Sequence, residues 1–443
     1  MLGILSNTTF RRLFLAQVVA LMGTGLLTVA LGLLAYDLAG NSAGAVLGTA
    51  YTIKMIAYVG LSPVAAAIAS RLPRKQVLVA MDLLRAAVAL SLPFVDAVWQ
   101  IYVLIFLLQS ASATFTPAFQ AVIPDILTDE RDYTRALSLS RLAYDIENLV
   151  SPALAGLLLM MMDFHWLFAG TVAGFLWSTA LIQVTRLPSQ RSEPPRPFVE
   201  RVTRGTWIYL STPRLRGLLA FNFAAAAAGA FVLVNTVVMI RGVFGLGETH
   251  LAYAMATFGG GSMLSALLIP SLLDRATDRS VMRLAALMLA CVTLVHGVLF
   301  ATFGPMRWEV FLGFWFASGV LYSAILTPSG RLLRRSAHPE DRPALFTAQF
   351  ALSHACWLVT YPLAGWAAEL VSLPFALILL GALAVIATVV GMVVWKDPAH
   401  QDLTHSHPDL PPEHPHLRAH DGQRRHTHEI VIDDEHRVWP TQG

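Results

Sequence analysis

Ser70-Arg71-Leu72-Pro73-Arg74-Lys75 closes the second long apolar run of this chain, and Asp274-Arg275-Ala276-Thr277-Asp278-Arg279 closes the eighth. Each is a short basic string between two stretches too apolar to lie in water. Two further landmarks recur in the same order. Phe115-Thr116-Pro117 ends the fourth run as Leu326-Thr327-Pro328 ends the tenth, and Ser151-Pro152-Ala153-Leu154-Ala155-Gly156 in the fifth is answered by Tyr361-Pro362-Leu363-Ala364-Gly365 in the eleventh. Matched landmarks in a constant order mark a duplicated chain with a period of six runs.

Outward from these strings, the runs cover 13–36, 44–69, 77–97, 100–122, 137–161, 164–185, 217–240, 251–273, 281–303, 309–328, 344–368 and 374–395. About 20 residues of helix cross a bilayer, and only a helix or a closed barrel satisfies its own backbone there. The pattern predicts an all-α membrane protein: twelve transmembrane helices in two six-helix lobes, 1–186 and 217–396, joined by a cytoplasmic linker, 187–216. A disordered tail, 397–443, follows. Composition agrees, at 56% hydrophobic and 13% charged with a mean hydropathy of +0.59, where a soluble domain averages about 45–50% and about 25%. Cys291 and Cys356 lie inside apolar runs and read as small buried hydrophobes, not a disulfide framework. The first run follows Phe10-Arg11-Arg12 and is long enough to span, so it reads as a retained helix and not a cleaved signal. A zinc-protease helix, phosphate loop, nucleophile elbow and dinucleotide fingerprint are all missing from the sequence. The expected protein is neither an enzyme nor a nucleic-acid binder.

Charge sets the expected orientation. An inside N-terminus puts Arg71, Arg74, Lys75, Arg275, Arg279, Arg283, Arg331, Arg334 and Arg335 in the cytoplasm and leaves only Arg241 and Arg307 outside. The expected location is the inner (plasma) membrane, multi-pass, with both termini cytoplasmic.

With these landmarks the chain resembles the major facilitator superfamily over about residues 1–396. The family's loop motif is matched by Arg71, Arg74 and Lys75 after the second run and by Asp274, Arg275 and Arg279 after the eighth, which the resemblance makes gating residues. The chain departs at Ser70, where the family carries Asp, and at Ala66 and Pro270, where it carries Gly. The stretch 151–156 is similar to the fifth-span motif of antiporters, which implies export.

Ionisable residues at membrane depth are costly and mark function by default. Six lie in the first half: Lys54, Asp82, Arg85, Arg141, Asp145 and Glu147. Arg141, Asp145, Asn148 and Pro152 share one helical face. One reading makes Asp82 with Arg85, and Arg141 with Asp145, self-neutralising pairs near the cytoplasmic helix ends. The other has Asp145 or Glu147 release a proton to accept a cation, with Arg141 or Lys54 setting its proton affinity. In the second half the polar candidates are Asn222, Asn235, Cys291, His296, His354 and Cys356. His354 and Cys356 stand about 200° apart on a helix, too far to chelate one ion alone. The family resemblance implies that the second and eleventh spans pack together, bringing Lys54 near His354.

The tail holds nine of the fourteen histidines: His400, His405, His407, His414, His416, His420, His426, His428 and His436. Three His-x-His pairs stand among carboxylates, and neutral imidazole is a common ligand for nickel, cobalt, copper and zinc. Pro408, Pro411, Pro412 and Pro415 argue for a flexible multidentate chain. A solvated linker and a pH-responsive tail are the plainer readings. Body and tail together resemble the nickel-resistance exporters of the superfamily. That resemblance implies efflux of Ni²⁺, with Co²⁺ or Zn²⁺ as further cargo, in exchange for protons. Metal ions and protons are the expected partners of a monomer in the bilayer. No cofactor is required, the metal being substrate and tail ligand. Two alternatives stand beside it: an exporter of a siderophore or drug-like molecule with a regulatory tail, and a non-transporting membrane metal sensor.

Overall fold

Apolar runs bounded by Pro, Gly and capping side chains become helices in the computed structural model, which describes residues 2–39, 43–188, 197–395, 402–406 and 424–439. The first lobe comprises α1 (Thr8–Ala39), α2 (Ala43–Ile56), a π turn (Ala57–Leu61) leading into α3 (Ser62–Ala69), α4 (Arg74–Ser91), α5 (Val98–Ile126), α6 (Glu130–Leu159) and α7 (His165–Val184). A linker helix α8 (Phe198–Ser211) precedes the second lobe. That lobe comprises α9 (Pro213–Val238), α10 (Glu248–Leu273), α11 (Asp278–Phe303), α12 (Trp308–Leu326), the short α13 (Ser329–Arg335), α14 (Arg342–Leu370) and α15 (Leu373–Val394). With α2 and α3 taken as one span, the twelve expected helices are present in two lobes. Among the described residues ten of them are long and apolar enough to cross a membrane. The two that fall short are α6 and α14, the spans that carry Arg141, Asp145 and Glu147 and the second-half His354.

Local chemistry sets the boundaries. The Asp129 carboxylate accepts from the Asp132 amide to start α6, and the Thr277 hydroxyl accepts from the Ser280 amide to start α11. Gly304, at φ +78°, ends α11 in a backbone region that a side chain would resist. Helix packing relies on small residues, as expected where lipid removes the hydrophobic drive to associate. A Cβ on Gly319 of α12 would lie 1.9 Å from the Phe258 carbonyl oxygen of α10, so those two backbones touch.

The linker and the tail are more ordered than expected. The linker forms α8, whose Arg204, Gly205, Ile208 and Tyr209 are buried. Gly205 sits against the Ala344 backbone, where a Cβ would come within 1.9 Å. In the tail, β1 (Asp402–Ser406) pairs antiparallel with β2 (Arg425–Glu429), with His405 opposite His426 and Leu403 opposite His428. Ile430 and Ile432 are fully buried, and Ile432 joins the second-lobe core beside Ile208, Leu332, Leu333 and Trp395. Asp434 pairs with Arg204 at 2.7 Å, and the Arg214 guanidinium lies over the Trp439 ring at 5.8 Å. The expectation of a wholly flexible tail is therefore corrected for these stretches. The Ile430-Val431-Ile432 triplet has an apolar patch to cover, and burial of two large aliphatic side chains contributes about 1.5–3 kcal/mol each.

Asp433 anchors this docked strap. Its carboxylate accepts hydrogen bonds from His338 at 3.2 Å and from His436 at 3.0 Å. Burial opposes its ionisation, but these hydrogen bonds prevail and hold the carboxyl well below the usual carboxylate range. The same bond raises the His338 pKa from 6.5 against the opposing effect of burial. A raised histidine stabilises docking below its ordinary pKa and loses that contribution as pH climbs through the raised value. A depressed carboxyl stabilises it above the ordinary carboxylate pKa and loses that as pH falls further. Docking is therefore strongest between about pH 4 and about pH 6.5. In solubilised protein, proteolytic cleavage within 424–439, normalised to an unfolded peptide of the same sequence, should rise between about pH 6 and about pH 9. His338→Gln should flatten that rise, and a flat wild-type profile would contradict the assignment.

Candidate functional site

At the arginine-rich end, where α6 meets α13, the lobes are tied by ions. Asp278, buried at the start of α11, receives Arg331 Nε at 3.2 Å and Arg335 Nη1 at 3.1 Å. Glu130 of the first lobe pairs with Arg331 at 2.9 Å and also with Arg335. Arg331 further donates to the Thr134 hydroxyl at 3.1 Å, and Arg334 to the Thr128 carbonyl. The Tyr133 hydroxyl donates to the Gly330 carbonyl at 3.2 Å. Asp125 of α5 holds Arg74 at 2.6 Å and Arg342 of the second lobe at 3.2 Å. This end is closed.

The loop-motif residues divide accordingly. Arg74 pairs with Asp125 where Ser70 replaces the family's acid, and the Ser70 hydroxyl donates to its own helix at Ala67. Asp274 does cross to the other lobe, to Arg131 at 3.5 Å, but the two side chains are 50% and 76% exposed. Such a pair contributes about 0–1 kcal/mol. The buried acid at this end is Asp278, four residues on, which holds Arg331 and Arg335 within the second lobe while Glu130 reaches them from the first. Arg71 and Arg275 are exposed, Lys75 and Arg279 half-buried, and none enters the ion pairs above. Asp125, Glu130, Asp278 and Arg342 were not singled out from the sequence. For the three acids the signal was a position at the end of a helix, beside basic loops.

At mid-depth a second tie crosses the lobes. Arg141 and Asp145 of α6 pair at 3.1 Å, one helical turn apart. The Ser262 hydroxyl of α10 sits between them, donating to Asp145 Oδ2 at 2.8 Å and accepting from Arg141 Nη2 at 3.0 Å. The guanidinium also lies over the Tyr322 ring of α12 at 5.0 Å. The pair is thus neither an isolated intrahelical bridge nor an open carboxylate. It is an interlobe lock whose serine carries no sequence signal of its own.

Beside the lock lies the polar centre. Tyr58 stands in the π turn that breaks the second span, a feature often found at functional sites. Lys54 lies 5.5 Å from its ring centroid, and the His354 and Phe350 rings of α14 lie 4.7 and 4.8 Å away. The second and eleventh spans therefore do bring Lys54 and His354 together. His354 Nδ1 faces the Phe350 carbonyl at 2.7 Å. A carbonyl only accepts, so Nδ1 carries the proton and Nε2 of the neutral ring bears the lone pair. Glu147 interacts electrostatically with Lys54, with Tyr58 and with Tyr144, which is itself hydrogen-bonded to Gln17 and Gln120.

Other candidates are structural. Asp82 and Arg85 pair inside the first lobe, halfway along α4 and not near a helix end. Ser178 donates to Asp82 at 2.7 Å, and Phe115 and Phe175 sandwich the guanidinium at 4.1 and 4.6 Å. His296 is buried among Phe314, Phe311 and Trp315. Cys291 is exposed on its helix, and Cys356 donates to the Leu352 carbonyl. The Asn148 side chain lies outside the described residues.

Among the described residues no three His, Cys, Asp or Glu side chains converge on a metal-sized site. Of the tail histidines, His426 and His436 are buried, and His436 Nδ1 is engaged by Asp433. His405 and His428 are placed by backbone register only, and His400, His407, His414, His416 and His420 lie outside the described residues.

Two polar ties across two six-helix lobes, around a shared polar centre, is the layout of a two-lobed carrier. Comparison with known proteins agrees: residues 13–302 and 219–425 each match the Major Facilitator Superfamily. The chain belongs to that superfamily. Macrolide efflux protein A of Streptococcus pyogenes is 23% identical over 274 residues, 59% of this chain and 65% of that protein, so the match spans just under two thirds of the relative. An uncharacterised MFS-type transporter of Bacillus subtilis (strain 168), YfiS, is 25% identical over 219 residues, 46% of this chain and 50% of its own length. Among solved structures, a bacterial homologue of the iron transporter ferroportin in an outward-facing state aligns with a TM-score of 0.73 at 16% identity, covering 88% of this chain and 100% of the other. A human organic anion transporter aligns with a TM-score of 0.71 at 11% identity, covering 86% and 98%. At such identities the likeness is one of fold. The protein is a multi-pass membrane transporter of the superfamily and not an enzyme.

Breaking a buried ion pair by removing one partner costs about 3–5 kcal/mol, and about 1.4 kcal/mol changes an equilibrium tenfold. Asp125→Asn, which removes the largely buried carboxylate that joins Arg342 of the second lobe to the first, should therefore move the lobes apart at the arginine-rich end in a large fraction of molecules. Spin labels at positions 131 and 275, in a background with Cys291 and Cys356 replaced, report this as a shift of the distance distribution to longer values. An unchanged distribution would remove Asp125 from the tie between the lobes.

Proposed function

We propose that this protein exports a divalent transition-metal cation from the cytoplasm in exchange for protons, with Ni²⁺ as the first cargo and Co²⁺ or Zn²⁺ as further ones. The observation that carries the proposal is the meeting of Tyr58 and Lys54 from the first lobe with His354 from the second, within electrostatic range of Glu147. A carboxylate, a phenol and an imidazole whose Nε2 bears a lone pair are donors that a borderline dication accepts. Drawn from two lobes, they release their cargo when the lobes rearrange.

Lys54 supplies the counter-charge that Glu147 needs when no cation is present. An arriving dication takes over from the ammonium as the charge that balances the carboxylate. On the opposite side a proton takes the dication's place, and Lys54 returns once the proton leaves. With the arginine-rich end placed in the cytoplasm by the positive-inside rule, the gate of Asp278, Glu130, Arg331 and Arg335 closes the cytoplasmic mouth. The Arg141–Asp145–Ser262 lock opens with each alternation. The nine tail histidines raise the local metal concentration at that mouth.

A second reading, export of an amphiphilic organic cation, is favoured by two observations. The relatives named above include macrolide efflux proteins. The second lobe also lines up Tyr322, Trp357 and Tyr361, with ring centroids 6.2 and 4.9 Å apart along the series, near the carboxylate of Asp145.

Proteoliposomes holding the full chain under an imposed proton gradient separate the readings. The expected result is gradient-driven Ni²⁺ flux that falls at least tenfold in Glu147→Gln while the variant still inserts and folds. Flux of a macrolide with none of Ni²⁺, Co²⁺ or Zn²⁺ would replace the first reading by the second. Normal proton coupling in both Glu147→Gln and Asp145→Asn would remove the carboxylates from the mechanism.

A further inference from the structure

Between the linker helix and the two lobes lies a crevice that transport does not use. Its inner part is a cavity of about 40 Å³ among α3, α8 and α14, lined by Pro63, Ser70, Arg201, Gly205, Thr206 and Thr347. It opens, past the shared residues Pro63, Val202 and Thr206, into a groove of about 480 Å³ bordered by Gly60, Trp207 and Leu210. The groove is mostly apolar, and the cavity is lined by hydroxyls, the guanidinium groups of Arg201 and Arg204, and the Asp341 carboxylate.

The two arginines here differ. Arg204 is saturated, bound by Asp341 at 2.9 and 3.1 Å and by Asp434 at 2.7 Å. Arg201 is half-buried, its Nε is buried with no hydrogen-bond partner among the described residues, and the contact its guanidinium makes is with the Phe198 ring, 5.7 Å away. An unsatisfied buried donor costs about 1–3 kcal/mol, so this position is suited to an anionic acceptor from outside the chain.

The outer face of α8 says where that acceptor comes from. Phe198, Val199 and Leu210 are 46%, 71% and 45% exposed. A helix that turns such residues outward at the end of a membrane bundle lies in the interface, with those side chains among acyl chains. An apolar groove at that level is filled by lipid, and a basic side chain at its inner end selects the headgroup.

We propose that this crevice binds one anionic phospholipid of the leaflet at the arginine-rich end, its phosphodiester on Arg201 and an acyl chain along the groove from Gly60 to Leu210. Because α3 belongs to the first lobe and α14 to the second, the lipid binds best when both lie against α8, which is the state closed at this end. The site is independent of the cargo.

Native mass spectrometry of the full chain, delipidated and then titrated with phosphatidylglycerol or phosphatidylcholine of the same acyl composition, tests it. The expected result is one phosphatidylglycerol retained at least fivefold more strongly than phosphatidylcholine. Arg201→Gln should lose that preference and Arg201→Lys keep most of it. Phosphatidylglycerol should also raise the melting temperature of wild type but not of Arg201→Gln, while inorganic phosphate raises neither. Equal retention of the two lipids by wild type, or an undiminished preference in Arg201→Gln, would overturn the assignment. A phosphate effect equal to that of the lipid would show a free-anion site and would likewise overturn it.

Discussion

A charge withdrawn from water must be neutralised by something the chain itself brings, and this requirement organises the protein. Inside the bilayer no solvent compensates an ion, so each carboxylate in the spans has a cation within reach. What distinguishes the pairs is which lobes they join. Asp82 and Arg85 sit in one lobe and keep their geometry through any rigid-body motion. Arg141 and Asp145 share Ser262 with the other lobe, so relative motion of the lobes removes part of their solvation. Asp278 and Glu130 divide Arg331 and Arg335 between lobes, and the end that they close opens only when that division is undone.

The same requirement explains the central cluster. Lys54 and Glu147 lie at a depth where neither stands alone cheaply, and Tyr58 and His354 add groups that accept or donate without a fixed charge. Tyr58 stands in the π turn at 57–61 and meets the Phe350 ring of α14. Neutral and ionic groups drawn from both lobes give a centre whose charge can be exchanged for that of a cargo or a proton.

The arginine-rich end carries a further layer. Helix α8 lies across α3 and α14, and the strap at 430–439 fastens it through Arg204 and the Ile432 side chain. Arg204 is shared by Asp341 of the second lobe and Asp434 of the strap, so linker, lobe and tail meet in one ion cluster. The histidine-bearing strand β2 runs directly into this strap. The tail is thereby fastened to the linker by the Arg204–Asp434 pair and the buried Ile432 side chain.

The sequence by itself determined the number of spans, their grouping into six and six, the duplication and the positions of the intramembrane charges. Each of those follows from apolar run length, and a bilayer reads length and polarity locally. The proximity of Lys54 to His354 was also legible, but only through family resemblance. Tertiary structure alone decided which charges matter for motion. Ser262, Asp125 and Glu130 look unremarkable along the chain, because an ion pair across lobes depends on where two helices far apart in sequence cross. It also decided that the Ile430–Ile432 segment is docked and not free. A three-residue apolar run is too short to carry a period, and whether it is buried depends on the patch that the folded second lobe leaves uncovered.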